Sequence, residues 1–222
     1  MIRENLMDIY NRLYKHFGPQ HWWPGQTPFE VMVGAVLTQN TAWINVERAI
    51  ANLRAAGCVD ADRILAVRQA TLAAMLRPAG YFNVKARRLR NYCRWYRGCG
   101  GHDAIAVMDT VHLRRELLSV NGIGPETADD ILLYAFGRPV FVIDAYTRRL
   151  FGRLGLLDDS AGYETLRAYF ERHLRADASL FNEYHALIVR HAKDICKTRP
   201  RCAECCLRGL CPAASVSRGQ TP

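Results

Sequence analysis

Four cysteines crowd the last part of this 222-residue chain: Cys196, Cys202, Cys205 and Cys211, one C-x2-C pair flanked on both sides by five-residue spacers. Thiolates wrapped this tightly suit an iron–sulfur cluster or a tetrahedral zinc ion. Structural zinc usually uses paired C-x2-C knuckles with a longer spacer, and only one such pair is present. Pro212, directly after the last cysteine, matches the C-P ending of some iron–sulfur runs. The spacing therefore favours a [4Fe-4S] cluster, with structural zinc as the alternative. Cys206 is a surplus thiol able to replace Cys205, whereas Cys58, Cys93 and Cys99 read as small core residues.

A second stretch with chemical potential runs from Leu117 to Arg149. Asn121-Gly122-Ile123-Gly124 supplies the positive φ values of a tight turn, and Pro125 fits the first position of a helix. Ala128, Ile131, Leu132 and Ala135 continue at helical spacing, and Val111 to Val120 before the turn is also helix-like. Backbone N–H groups exposed at such a turn suit a phosphate, although an ordinary αα turn has the same signature. Trp22 and Trp23 sit in a loop rich in chain breakers, either plugged into the core or offering flat faces for planar bases. Thr38-Gln39-Asn40-Thr41 places four polar residues after an apolar helix, where they must find partners or face a ligand.

These groups need a scaffold, and the pattern supplying it is helical. Half of the residues are hydrophobic, enough for a real core. Helices are expected over Asn5 to Phe17, from Pro28 through Leu37, about Ala42 to Ala55, Asp60 to Val67, Thr71 to Leu76 and Val84 to Tyr96. Gly98 to Gly101 is expected as a loop, and two further helices as Ala161 to Leu174 and Leu180 to Ile195. The helix from Val84 should carry Lys85, Arg87, Arg88, Arg90 and Arg94 on a wet, basic face. Val140 to Ile143 is the sole β-like run, so the fold class is all-α.

The formal net charge of +9 favours a polyanionic partner, nucleic acid first and an anionic membrane surface second. Arginine supplies nearly all of it; the lysines are Lys15, Lys85, Lys193 and Lys197. No segment is long and apolar enough to span a bilayer. The first residues carry charges throughout and lack the apolar centre of a signal peptide, which makes a cytoplasmic location the expectation and disulfides unexpected.

The order of Val120-Asn-Gly-Ile-Gly124, Gly137-Arg-Pro139, Val142-Ile-Asp144 and the cysteine loop resembles the endonuclease III superfamily, the helix-hairpin-helix DNA glycosylases, from about Asn5 to Pro212. The resemblance implies a six-helix barrel over residues 26–137. It also implies a cluster domain assembled from 1–25 and 138–214, and 215–222 reads as a disordered tail. It makes Asp144 the catalytic aspartate, the four cysteines the ligands of a [4Fe-4S] cluster, and double-stranded DNA with a damaged base the partner. The expected form is a monomer with no membrane association. Gly122, Gly124, Arg199 and Arg201 become DNA contacts.

Two departures matter. Bifunctional members carry a Schiff-base lysine two residues after the second hairpin glycine, and this chain has Glu126 there, so AP-lyase chemistry is not expected. The first cysteine spacer is also one residue shorter than in endonuclease III. Within the superfamily the chain looks most like the 3-methyladenine DNA glycosylases of the endonuclease III type, through His21-Trp-Trp-Pro24, Gly34 to Thr41, Trp43 and Glu126. That likeness assigns base stacking to Trp22, Trp23 and Trp43, places Gln39 and Asn40 in the base pocket, and gives Glu126 a hydrogen bond to the base or a water. The expected activity is monofunctional removal of alkylated purines. The alternatives are a glycosylase/AP lyase for oxidised pyrimidines or mismatches, and an inactive DNA-binding module.

Overall fold

The computed structural model describes residues 2–22, 25–158 and 160–216. Among them there are helices and no strand, as the all-α reading requires. The chain forms two compact units, one from Trp23–Arg138 and one from Met1–Trp22 together with Pro139–Pro222.

The first unit is built around α2 (Pro28–Leu37). Thr27 accepts the amide of Glu30 at 3.2 Å and Pro28 opens the helix, so both start signals are used. Val31, Met32, Val33, Val36 and Leu37 are all buried, because α3 (Trp43–Ala55), α6 (Phe82–Gly98) and the helical turn Ile131–Ala135 cover α2. Short helices α4 (Ala61–Ala66) and α5 (Gln69–Met75) pack on α6. Arg90 reaches from α6 to the carbonyls of Ile64 and Val67 at 3.1 and 2.7 Å, satisfying the orphan end of α4.

Two expectations fail here. The loop expected at Gly98–Gly101 shrinks to Cys99 and Gly100, because two glycines with positive φ turn the chain straight into α7 (Gly101–Ala106). Lys85 is not on the wet face. It is 1 % exposed, and its ammonium donates to the carbonyls of Leu37 and Ala79 at 2.8 and 2.7 Å. Helical position alone did not reveal this, since a long side chain can fold inward to meet orphan carbonyls. Of the remaining arginines, Arg87 and Arg94 are exposed, while Arg90 is used structurally.

In the second unit, α12 (Ala178–Asp194) packs against α1 (Ile2–Phe17) and α10 (Ala145–Arg153), and α1 also meets α11 (Tyr163–His173). Phe141 and Phe170 stack at 4.1 Å, with the edges of Phe181 and Tyr184 against Phe141. The β-like run Val140 to Ile143 is extended and buried without forming a strand. Its amides go to side chains instead: Phe141 N–H to Glu171 at 3.0 Å and Ile143 N–H to the Tyr163 hydroxyl at 3.4 Å. Both bonds anchor the segment just before Asp144.

Candidate catalytic and nucleic-acid-binding residues

The glycine turn joins α8 (Thr110–Ser119) to α9 (Pro125–Asp130). Asp109 caps α8 through the amides of Val111 and His112, and Gly124 stands at the N-cap of α9. Arg114 on α8 holds Asp129 on α9 through two bonds of 2.7 and 3.1 Å, and Asp129 is fully buried. A planar fork meeting a carboxylate in this way fixes the two helices against each other. Gly122 has φ +101, and a Cβ there would lie 3.0 Å from Arg88 Cβ and Cδ and closer still to Cγ. Arg88 in turn donates to Gln39 Oε1, while Gln39 Nε2 donates to the Gly122 carbonyl and to Thr127 Oγ1, each at 3.0 Å. Gln39, expected in a base pocket, therefore has its amide committed to the hairpin. Gly124 and Glu126 are exposed at its tip.

Asn40 is exposed with φ +53, and Trp43 lays its ring on Gly34 while donating to Glu47 at 2.9 Å. Tyr81, at the turn before α6, is 73 % exposed at φ +45. Left-handed geometry costs about 1–2 kcal/mol at a bulky residue such as Tyr81, whereas asparagine adopts it readily.

In the other unit, Asp144 caps α10. Its Oδ1 accepts the Thr147 amide at 2.7 Å and the Thr147 hydroxyl at 2.9 Å, and its Oδ2 lies 3.5 Å from His185 Nε2. Burial by itself raises this carboxyl, but the neighbouring His185 imidazole at 3.5 Å and the bonds from Thr147 outweigh it and hold it below its ordinary range. Asp144 is thus an anion at neutral pH, packed close and still partly exposed. Trp22 stacks on His185, with ring centroids 5.6 Å apart and planes 13° apart. The sequence reading named Asp144 and Trp22 but missed His185, since one histidine on a buried helix face carries no signal until the fold brings it to the aspartate. Trp23 lies outside the described residues.

Cys196, Cys202, Cys205 and Cys211 line one cavity of about 390 Å³, together with Leu150, Leu154 and Arg153. Cys206 turns away toward Arg12, Lys15 and His16 on α1. Arg153 supports the loop by donating to the carbonyls of Lys197 and Thr198 at 2.6 and 3.0 Å and approaching Cys196 Sγ at 3.3 Å. Burial pushes the Cys205 thiol up to about 11. Among the described residues no three His, Cys, Asp or Glu side chains converge closely enough for a single metal ion. Arg199 and Arg201 are exposed on the same loop, and Arg201 is 3.5 Å from Glu204.

Residues 33–176 match the family described as HhH-GPD superfamily base excision DNA repair protein. The chain belongs to this family. A Methanocaldococcus jannaschii protein named "Putative DNA repair glycosylase MJ1434" is 44 % identical over 95 % of this chain and 99 % of its own length. An endonuclease III of Sulfolobus acidocaldarius is 31 % identical over 92 % of this chain and 96 % of its own. Among solved structures, H. pylori 3-methyladenine DNA glycosylase bound to 1,N6-ethenoadenine has a TM-score of 0.72 at 29 % identity, covering 86 % of this chain and 95 % of that one. A non-covalent endonuclease III–DNA complex has a TM-score of 0.85 at 20 % identity, covering 98 % and 99 %, and shares the fold. The family is one of base-excision-repair DNA glycosylases, and no helix among the described residues is long and apolar enough to cross a membrane.

Proposed function

We propose that this family member is a monofunctional glycosylase that hydrolyses the N-glycosidic bond of alkylated purines, 3-methyladenine type, in double-stranded DNA, and that it works as a monomer. The carrying observation is Glu126 at the exposed start of α9, where bifunctional relatives are expected to hold their nucleophilic lysine. A carboxylate forms no Schiff base, and Lys85 is no substitute because its amine is buried on two carbonyls. The 29 % identity to a 3-methyladenine glycosylase supports the same lesion class.

In this reading the duplex is held through its phosphates by arginines, Arg199 and Arg201 among them, and by the amides of Gly122 and Gly124. The damaged nucleotide leaves the stack, since its glycosidic bond is unreachable inside the duplex. Trp22 is proposed to stack on the base; Trp23, Trp43 and Asn40 keep the base-contact roles that the family likeness implies, while Gln39 serves by holding the hairpin. An alkylated purine is cationic, so an indole face adds about 0.5–2 kcal/mol of cation–π attraction. Asp144 stabilises the cationic sugar as the bond breaks and orients the attacking water. Glu126 hydrogen-bonds the base or a water.

Cys196, Cys202, Cys205 and Cys211 are proposed to hold a [4Fe-4S] cluster, which pins the basic loop and takes no part in hydrolysis. Zinc–sulfur bonds of about 2.3 Å would draw four sulfurs tightly together, whereas a cubane spreads them around a larger core. A cavity of about 390 Å³ ringed by the four cysteines fits the cubane.

Duplexes carrying single lesions test the proposal. Release of free 3-methyladenine, with strand breaks only after alkali, is the expected result. Borohydride trapping of a protein–DNA adduct overturns the monofunctional claim. Excision of oxidised pyrimidines in preference to alkylated purines overturns the lesion class.

A further inference from the structure

We infer that His185 is the positioning residue of this site: one imidazole fixes both the Asp144 carboxylate and the Trp22 ring. The inference rests on the proposed roles of those two residues and deepens them.

His185 is 4 % exposed on α12, which packs against the helix that Asp144 caps. Its edge and its face are used differently. Nε2 on the edge stands 3.5 Å from the Oδ2 of Asp144, the oxygen that Thr147 does not take. The face carries Trp22, nearly parallel at 5.6 Å between centroids.

The segment bearing Trp22 is tied to the same helix a second time. Gln20 donates its amide to the Glu183 carboxylate at 2.7 Å, and Glu183 lies two residues before His185 on α12. Gln20 also folds its side chain onto the carbonyls of Phe17 and Gly18, bracing the loop from within. Between the two anchor points His21 takes φ +48, a left-handed conformation that a non-glycine residue adopts only when its surroundings impose it. The turn at His21 is what carries Trp22 onto the imidazole.

Only histidine combines an N–H edge with an aromatic face in so small a ring. The consequence is a shared frame. Asp144 must face the sugar while Trp22 faces the base, and the glycosidic bond joins these two halves of one nucleotide. A single buried ring touching both residues sets their spacing and keeps each in one rotamer, which is the arrangement that raises the effective concentration of a catalytic group.

Two substitutions separate the functions. His185→Phe keeps the face and loses the N–H, and His185→Gln keeps a donor and loses the face. For His185→Phe we expect single-turnover base release to fall roughly tenfold or more, with affinity for lesion-bearing duplex within about threefold of wild type. Its Asp144 carboxyl, followed by carbon NMR, should titrate higher than in wild type, since a favourable neighbour of the anion is gone. For His185→Gln the Asp144 carboxyl should rise less than in His185→Phe, because the amide still donates but brings no charge, while preference for lesion-bearing over undamaged duplex falls. Equal loss in both variants, with Asp144 titrating as in wild type, shows a merely structural histidine and overturns the inference. Should either variant fail to fold, Asp144→Asn read at the His185 ring nitrogens decides instead: ring-nitrogen chemical shifts unchanged from wild type overturn the contact. These spectroscopic readings need no turnover, so they hold or fail separately from the lesion specificity proposed above.

Discussion

Replacing Gly122 by alanine, with Gly124→Ala as its partner experiment, tests how the hairpin is held. The two glycines are two residues apart in one turn, and their surroundings differ. Gly122 sits at φ +101, and a Cβ would press into the Arg88 side chain, at 3.0 Å from its Cβ and Cδ. Gly124 has φ −96 and nothing within 4 Å of an added Cβ. Left-handed backbone at an L-residue costs about 1–2 kcal/mol before any clash. Arg88 cannot simply swing aside, because its guanidinium holds Gln39, which holds the Gly122 carbonyl and Thr127. Losing one or two of those bonds adds about 0.5–1.5 kcal/mol each. Gly122→Ala should therefore destabilise by about 2–4 kcal/mol, whereas Gly124→Ala should stay within about 0.5 kcal/mol. Urea unfolding followed by helical circular dichroism measures both. Fluorescence anisotropy with duplex DNA over a salt series should show the Gly122 variant weakened on all sequences alike, as loss of phosphate contact requires. A Gly122→Ala protein as stable as Gly124→Ala would refute the reasoning.

Other expectations follow from the same geometry. Asp144→Asn should abolish base release and lower stability at neutral pH. The carboxyl is depressed in the fold, so its stabilising contribution is complete above the ordinary carboxylate range and disappears as pH falls through the lowered value; unfolding of variant and wild type at pH 7 and in acid checks the convergence. Burial, then the charge of Arg88, pulls Lys85 down to about 8 from 10.5. Between these values the unfolded chain binds the extra proton, so wild-type stability relative to Lys85→Met should rise with pH across that window, by at most about 3 kcal/mol. Denaturation of the two proteins at pH 7.5 and at pH 10.5 reads the difference. Cys205→Ser should lose bound iron and visible absorption while Cys206→Ser keeps both, since of these two only Cys205 lines the cavity; a colourless wild type containing zinc would overturn the cluster.

The helices, their order, the hairpin and the cysteine loop were legible because they rest on local rules. Apolar residues recur at three and four positions, prolines and Thr27 or Asp109 open helices, and glycines turn the chain. The cap at Asp144 and the gathering of four cysteines in one loop rest on spacing along the chain as well. What the sequence could not decide is where a side chain finds its partner across the chain. Lys85 looked like one more surface cation until the carbonyls of Leu37 and Ala79 gave its ammonium a dry site. Gln39 looked like a base contact and is a strut, because Gly122 approaches it from 83 residues away. Cys205 and Cys206 are neighbours of equal chemistry, and only the course of the loop turns one into the cavity and the other toward α1. His185 carries no local mark of any kind. Its meaning comes from packing, which brings an imidazole edge to a carboxylate 41 residues earlier and its face to an indole at the other end of the chain. Periodicity is a property of neighbours along the backbone, and a hydrogen bond between distant residues is a property of the folded surface they share.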